Sequence, residues 1–212
     1  MIVTPSTFDI NEVSYTDVKR SSYAGYRNIN WIYLNYAGGM LTLQTPEMYL
    51  PFDLCEKVDN DNAWDLHLSF RDIEKRRDLQ KFYEMLKMIE TSIVYTVIWN
   101  KDKLFSKKKY TLDMIQSLFM SSIVLSKRSR IGSHGKVTHI YHPTLKLRVP
   151  KQNADAYDKN KNRVRLDREI IKGGRATVIM QCTGIWIAAG FGYGCVWKAR
   201  QIRLTPGYPN GS

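Results

Sequence analysis

The residues able to do chemistry in this 212-residue chain are few and scattered. His134, His139 and His142 form an H-x4-H-x2-H pattern. That spacing has no strong geometric precedent as a metal site, and neither a nearby cysteine nor a carboxylate completes it. They therefore read as loop and strand histidines, able to add positive charge to a basic surface below pH ~6.5. The fourth, His67, stands alone. Cys55, Cys182 and Cys195 are odd in number and include no C-x-x-C pair. They read as three reduced thiols of a reducing compartment. Cys182 and Cys195 flank a predicted hairpin and could face each other as two buried small hydrophobes. Gly190-Phe-Gly-Tyr-Gly194 lies between two predicted strands, whereas a dinucleotide loop needs a helix after it. There is no Walker lysine, no G-x-S-x-G and no H-E-x-x-H. Asp53, Asp59 and Asp61 read as solvated turn carboxylates. No constellation here demands an enzyme, a cofactor or a metal.

Charge is the stronger signal. The formal net charge is +12 and the pI about 9.6, which favours an anionic partner. Between Lys127 and Arg175 there are fourteen basic residues against four acids, Asp155, Asp158, Asp167 and Glu169. No acid follows Glu169, while Lys172, Arg175, Lys198, Arg200 and Arg203 do. A charge run is ordinarily a solvated face. Here the bases alternate with apolar residues (Leu145-Lys-Leu-Arg-Val149; Arg163-Val-Arg-Leu166), which lines them along one sheet surface. Tyr141, Tyr157, Trp186, Phe191, Tyr193 and Trp197 occur among them. Cations track phosphates, and exposed rings stack on splayed bases at roughly 1–3 kcal/mol each. Duplex hides those faces, and duplex readers usually present a helix to a groove. The combination favours a single strand. Trp186 and Trp197 could equally be core, since buried indoles are common in small barrels.

The elements that must position these residues are mostly strands. Asn30–Tyr36 and Met40–Thr45, separated by Ala-Gly-Gly, predict a hairpin. Trp64, Leu66, Leu68 and Phe70 alternate with Asp65, His67 and Ser69, the mark of a half-buried strand. Leu79, Phe82, Leu86, Ile89 and Ile93 form one helical stripe, with Asp72 or Ser69 as cap. A basic connector, 100–109, leads to a second helix from Thr111, with Leu112, Ile115, Leu118, Phe119 and Ser122 facing inward. Tyr141–Pro150 predicts a strand bounded by Pro143 and Pro150. Asp155–Asn162 reads as a polar loop and Arg163–Ile171 as a weaker strand. Arg175–Ala188 is strongly β-prone, and the chain returns along Cys195–Leu204. In that return Val196, Lys198, Arg200, Ile202 and Leu204 share one parity and Trp197, Ala199, Gln201 and Arg203 the other.

The fold class expected is mainly β with two helices: an OB-like, partly closed antiparallel barrel with helices packed outside. One domain, 1–212, is expected, with an irregular segment 1–25, a helical insertion 71–125 and a flexible tail 205–212. No apolar run approaches the ~20 residues that span a bilayer, so no membrane partner is expected. Met1-Ile-Val-Thr-Pro5 lacks the pattern of a secretory signal.

Lys172-Gly-Gly-Arg-Ala-Thr-Val-Ile-Met-Gln-Cys-Thr-Gly-Ile-Trp-Ile187 and Gly190-Phe-Gly-Tyr-Gly-Cys-Val-Trp-Lys-Ala-Arg-Gln-Ile-Arg-Leu204 resemble the C-terminal signature of a protein family of nucleocytoplasmic large DNA viruses. Leu43-Gln-Thr-Pro-Glu-Met-Tyr-Leu-Pro-Phe52, Leu66-His-Leu-Ser-Phe70 and Tyr141-His-Pro-Thr-Leu-Lys-Leu-Arg-Val-Pro150 resemble its other blocks, in the same order. That family is similar to the OB-fold single-stranded-DNA-binding proteins of short-tailed phages. The resemblance implies sequence-nonspecific single-stranded DNA binding in viral DNA replication, recombination or repair. It implies Lys146, Arg148, Lys172, Arg175 and Lys198 as phosphate contacts and Trp186, Phe191 and Trp197 as stacking rings. Partners would be single-stranded DNA, viral replication proteins and further copies of the chain, at the replication site of an infected cell or in the virion. The phage proteins end in an acidic tail that recruits partners and competes with DNA; Pro206-Gly-Tyr-Pro-Asn-Gly-Ser212 carries no acid. That departure puts tail-mediated recruitment and tail-mediated autoinhibition in doubt. The alternatives are a virion structural or scaffold protein, whose aromatic residues would serve interfaces, and an RNA-binding regulator.

Overall fold

The computed structural model describes residues 1–21, 29–56, 62–105, 110–125, 142–152, 154–166 and 171–206, and the backbone alone of 130–131 and 137–139. The segment expected to be irregular contains a 3-10 turn, Ile10–Glu12, and strands β1 (Val13–Tyr15) and β2 (Lys19–Arg20). Asp9 caps the turn by accepting from the Asn11 backbone N–H. The aromatic run breaks into β3 (Ile29–Ile32) and β4 (Leu34–Tyr36). Ala37 and Gly38, both at positive φ (45° and 80°), turn β4 back into β5 (Gly39–Met40). Two left-handed residues match the twist of a tight hairpin, and glycine takes the second position without strain. β6 (Thr42–Gln44), β7 (Met48–Tyr49), β8 (Cys55–Glu56) and β9 (Ala63–Ser69) follow.

The apolar stripe forms helix α1 (Arg77–Trp99), burying Leu79, Phe82, Leu86, Ile89, Ile93 and Val97. Neither expected residue caps it. Ser69 accepts from the Arg71 N–H and Asp72, at φ 65°, accepts through its carbonyl from the Arg76 N–H, so both build the preceding turn. The basic connector contains a third helix, α2 (Lys101–Leu104), and α3 (Leu112–Ser117) starts at Thr111, whose hydroxyl accepts from the Met114 N–H. Within α3 only Ile115 is buried; Leu112 is exposed, contrary to the inward stripe expected of it. One helical turn and a half is too short to present a full stripe.

The second half supplies β10 (Ile123–Val124), β11 (Arg130–Ile131), β12 (Val137–His139), β13 (Thr144–Pro150), β14 (Asp155–Tyr157), β15 (Arg175–Ala188) and β16 (Gly192–Thr205). Leu145, Leu147 and Val149 of β13 are buried, as their alternation requires. The supposed polar loop 155–162 begins with strand β14. The supposed strand 163–171 contributes one bridge, Tyr157 with Arg163, and its residues 167–170 lie outside the described ones.

The chain divides into two compact units. The first comprises Met1–Leu43, Lys81–Ser122 and Gln181–Lys198. In it β3 pairs with β2 and with the later part of β15, while β1, β4 and β5 form a separate small sheet. The second comprises Gln44–Gln80, Ile123–Met180 and Ala199–Ser212. Its strand order is β14-β16-β13-β9-β7-β15, and β15 pairs again with β16. That second pairing bends the row into a partly closed ring, the OB-like arrangement. Among the described residues the molecule is mainly β with three helices.

Both long strands switch faces. In β15 the buried residues are Ala176, Val178, Met180 and Cys182, then Ile185 and Ile187. The change falls at Gly184, whose φ is 140°. In β16 Trp197 and Ala199 are buried, then Ile202 and Leu204, with Arg200 and Gln201 successively exposed between them. The simple parity expected for this strand therefore breaks. Two pairs of apolar residues five positions apart cannot both follow one alternation, so the buried face changes between Ala199 and Ile202.

Candidate nucleic-acid interface

The second unit carries an open groove of about 330 Å³ lined by Gln44, Tyr157, Lys161, Thr177, Ile179, Gln201 and Arg203. None of the seven is acidic. Its floor follows from strand register. β14 pairs in parallel with β16, setting Asp155 beside Gln201, Ala156 beside Ile202 and Tyr157 beside Arg203. Ala156 and Ile202 are buried, so their neighbours project to the opposite face. Thr177 and Ile179 project likewise, because Ala176, Val178 and Met180 point inward. The Arg203 guanidinium donates to the Thr177 hydroxyl at 3.4 Å.

Lys161 reaches the groove from a tight turn. The Asp158 carboxylate accepts from the backbone N–H groups of Asn160 and Asn162, both at 2.8 Å, and from the Asn162 side-chain amide at 2.9 Å. These donors, the Asn162 amide foremost, hold the Asp158 carboxyl below its ordinary range. The turn places Lys161 at φ 68°, a left-handed conformation that a lysine adopts only where its surroundings impose it. Among the described residues no carboxylate pairs with Lys161 or Arg203, whereas the neighbouring Arg163 pairs with Asp155 at 2.7 Å. The groove thus combines two exposed cations, a half-buried phenol ring and two amides.

The eight residues expected from the sequence fall elsewhere. Arg175 opens β15 on the same face as Thr177, and Lys172 is exposed in the turn before it. That turn is fixed by Asp53, whose carboxylate accepts from the Ile171 and Lys172 N–H groups, both at 2.9 Å. Lys146 is engaged by Asp65 at 2.7 Å, and Arg148 stands opposite the same Asp65 in the β13–β9 register. Trp186, Phe191, Trp197 and Lys198 belong to the first unit. Phe191 is 87% exposed at the hairpin tip, Trp186 and Lys198 are half-buried, and Trp197 is 3% exposed. Trp197 is a core residue: the face switch in β16 turns its indole inward, so it offers no stacking surface.

Lys161, Gln201 and Gln44 are not among the site residues expected from the sequence, and Tyr157 and Arg203 enter that expectation only as one ring and one cation among several. The D-K-N-K-N run at 158–162 carries a turn signal, Asp158 followed by asparagines. Nothing in it announced the parallel pairing with β16. Of the histidines, His134 lies outside the described residues, and no metal-ligating cluster occurs among those described.

No family model matches the chain, and no curated protein matches it in sequence. Six solved chains match it in structure. One is gp2.5, a single-stranded DNA binding protein encoded by bacteriophage T7, with TM-score 0.44 and 10% identity over 80% of this chain and 93% of that one. Another is the single-stranded DNA-binding protein from bacteriophage Enc34 in complex with ssDNA, with TM-score 0.44 and 12% identity over 84% of this chain and 93% of that one.

Proposed function

We propose that this protein binds single-stranded DNA without sequence preference, through the groove between β14, β15 and β16. The observation that carries the reading is Tyr157 set beside Arg203 in register, with Lys161 held over the same groove and no acid in its lining. Arg203 and Lys161 would contact phosphates, and Tyr157 would stack on a base. The amides of Gln44 and Gln201 would hydrogen-bond whichever base edge arrives. Arg175 and Lys172 would extend the phosphate track beyond Thr177. Nothing in this chemistry reads one base over another, because every base has a π-face and every nucleotide a phosphate. The site acts in viral DNA replication, recombination or repair, the setting that the resemblance of its sequence blocks implies.

Fluorescence anisotropy with a labelled oligothymidylate and a matched duplex tests the reading. Four phosphate contacts would give a log K against log salt slope of about −2.8 on single strands, at about 0.7 per contact. Tight single-strand binding with weaker duplex binding is the expected result. Equal affinity for both, or affinity independent of salt, refutes it.

A further inference from the structure

We propose that the first unit carries a second stacking platform for unpaired nucleobases, formed by Trp31, Tyr33 and Trp186 with Lys19. The proposal rests on the single-strand reading above and extends it to a site outside the groove. β3 pairs with β15 so that Ile32 faces Ile185 and Trp31 faces Trp186. Both isoleucines are fully buried. The two tryptophans, one residue away on each strand, must therefore project to the other face, where both remain half-buried. Tyr33 follows Trp31 by two residues and is 40% exposed. Lys19 stands opposite Trp31 in the β2–β3 register, and its ammonium lies 5.4 Å from the Tyr33 ring centroid.

Gly184 makes the platform flat. A Cβ there would sit 3.1 Å from Trp31 Cε3 and 3.4 Å from Tyr33 Cδ1. Its φ of 140° also excludes an ordinary side chain. The missing side chain lets the two rings lie close over the β15 backbone beside Trp186. Three aromatic side chains sharing one sheet face, with a cation beside Tyr33, match a run of stacked bases joined by phosphates.

A single-strand oligothymidylate carrying 4-thiothymidine, irradiated on the wild-type protein and mapped by mass spectrometry, is the direct test. Crosslinks to peptides containing Trp31 or Trp186 are expected. The double variant Trp31→Ala/Trp186→Ala should lose tenfold or more in affinity, and Trp31→Phe/Trp186→Phe should retain it to within threefold. The Phe pair keeps flat rings and much of their packing, so the wild-type crosslinks decide between base stacking and a role confined to packing. Lys161→Gln/Arg203→Gln serves as the groove control. If the groove control weakens binding while no crosslink reaches Trp31 or Trp186, the platform is overturned and the groove stands. If the wild type binds no oligonucleotide, both fall. Should the alanine pair unfold, the wild-type crosslinks decide.

Discussion

Removing the two groove cations gives the sharpest test of how binding arises. Lys161 and Arg203 are both exposed, and neither pairs with a carboxylate among the described residues. Glutamine at both positions keeps a polar, though shorter, side chain and deletes two charges. Exposed substitutions of this kind usually change stability by no more than about 0.5 kcal/mol. Each lost phosphate contact removes about 0.7 from the salt slope, so the double variant should be shallower by about 1.4. Referred to 1 M salt, the same exponent gives each contact about fivefold in affinity at 0.1 M, or about 25-fold for the pair. That corresponds to roughly 1.9 kcal/mol at 25 °C. Anisotropy titrations of wild type and Lys161→Gln/Arg203→Gln from 0.05 to 0.4 M salt measure both quantities. Convergence of the two proteins as salt rises is the diagnostic feature. A variant with the wild-type slope, or one weakened equally at every salt concentration, would refute the assignment of these side chains to phosphates.

Further expectations concern the elements that hold the sites. A Cβ at Gly194 would lie 2.6 Å from the Met120 carbonyl oxygen, so Gly194→Ala must push that backbone away. Overpacking of this kind costs about 2 kcal/mol, a fall in Tm of roughly 4–8 °C by calorimetry for a chain this size. An unchanged Tm would contradict the packing. Burial, and then the Lys146 ammonium, push the His67 imidazole below its ordinary pKa of 6.5. A group depressed on folding contributes stability that is present above pH 6.5 and lost as pH falls through the folded value. Urea unfolding at pH 5 and pH 7.5 should show wild type losing more than His67→Gln; equal losses would remove His67 from the account. Cys55 is exposed, and Cys182 is buried against Cys195. The hydrogen bond with Cys182, with burial, pushes the Cys195 thiol well above its ordinary value. Ellman's reagent should therefore titrate one thiol in the native protein and three in denaturant. Rapid native reaction of three would show that the pair is open.

Local residue pattern determined much of this protein. Leu145, Leu147 and Val149 alternate with Lys146 and Arg148, and no other backbone state than a strand puts those three leucine-type chains on one side. The stripe from Leu79 to Ile93 dictated α1 for the same reason, at a period of 3.6 rather than two. The concentration of cations after Lys127 was equally visible, since charge is a property of composition. Which cations are available was decided only by tertiary structure. Lys146 meets Asp65 because β13 lies beside β9 in a register that joins residues about eighty positions apart. Lys161 enters the groove because Asp158 closes a turn that a short parallel strand then docks against β16. Trp197 is buried and Arg203 exposed because the buried face of β16 changes between Ala199 and Ile202. A face switch and a non-local pairing leave no periodic trace, so alternation read along one strand could not assign these side chains to core or groove.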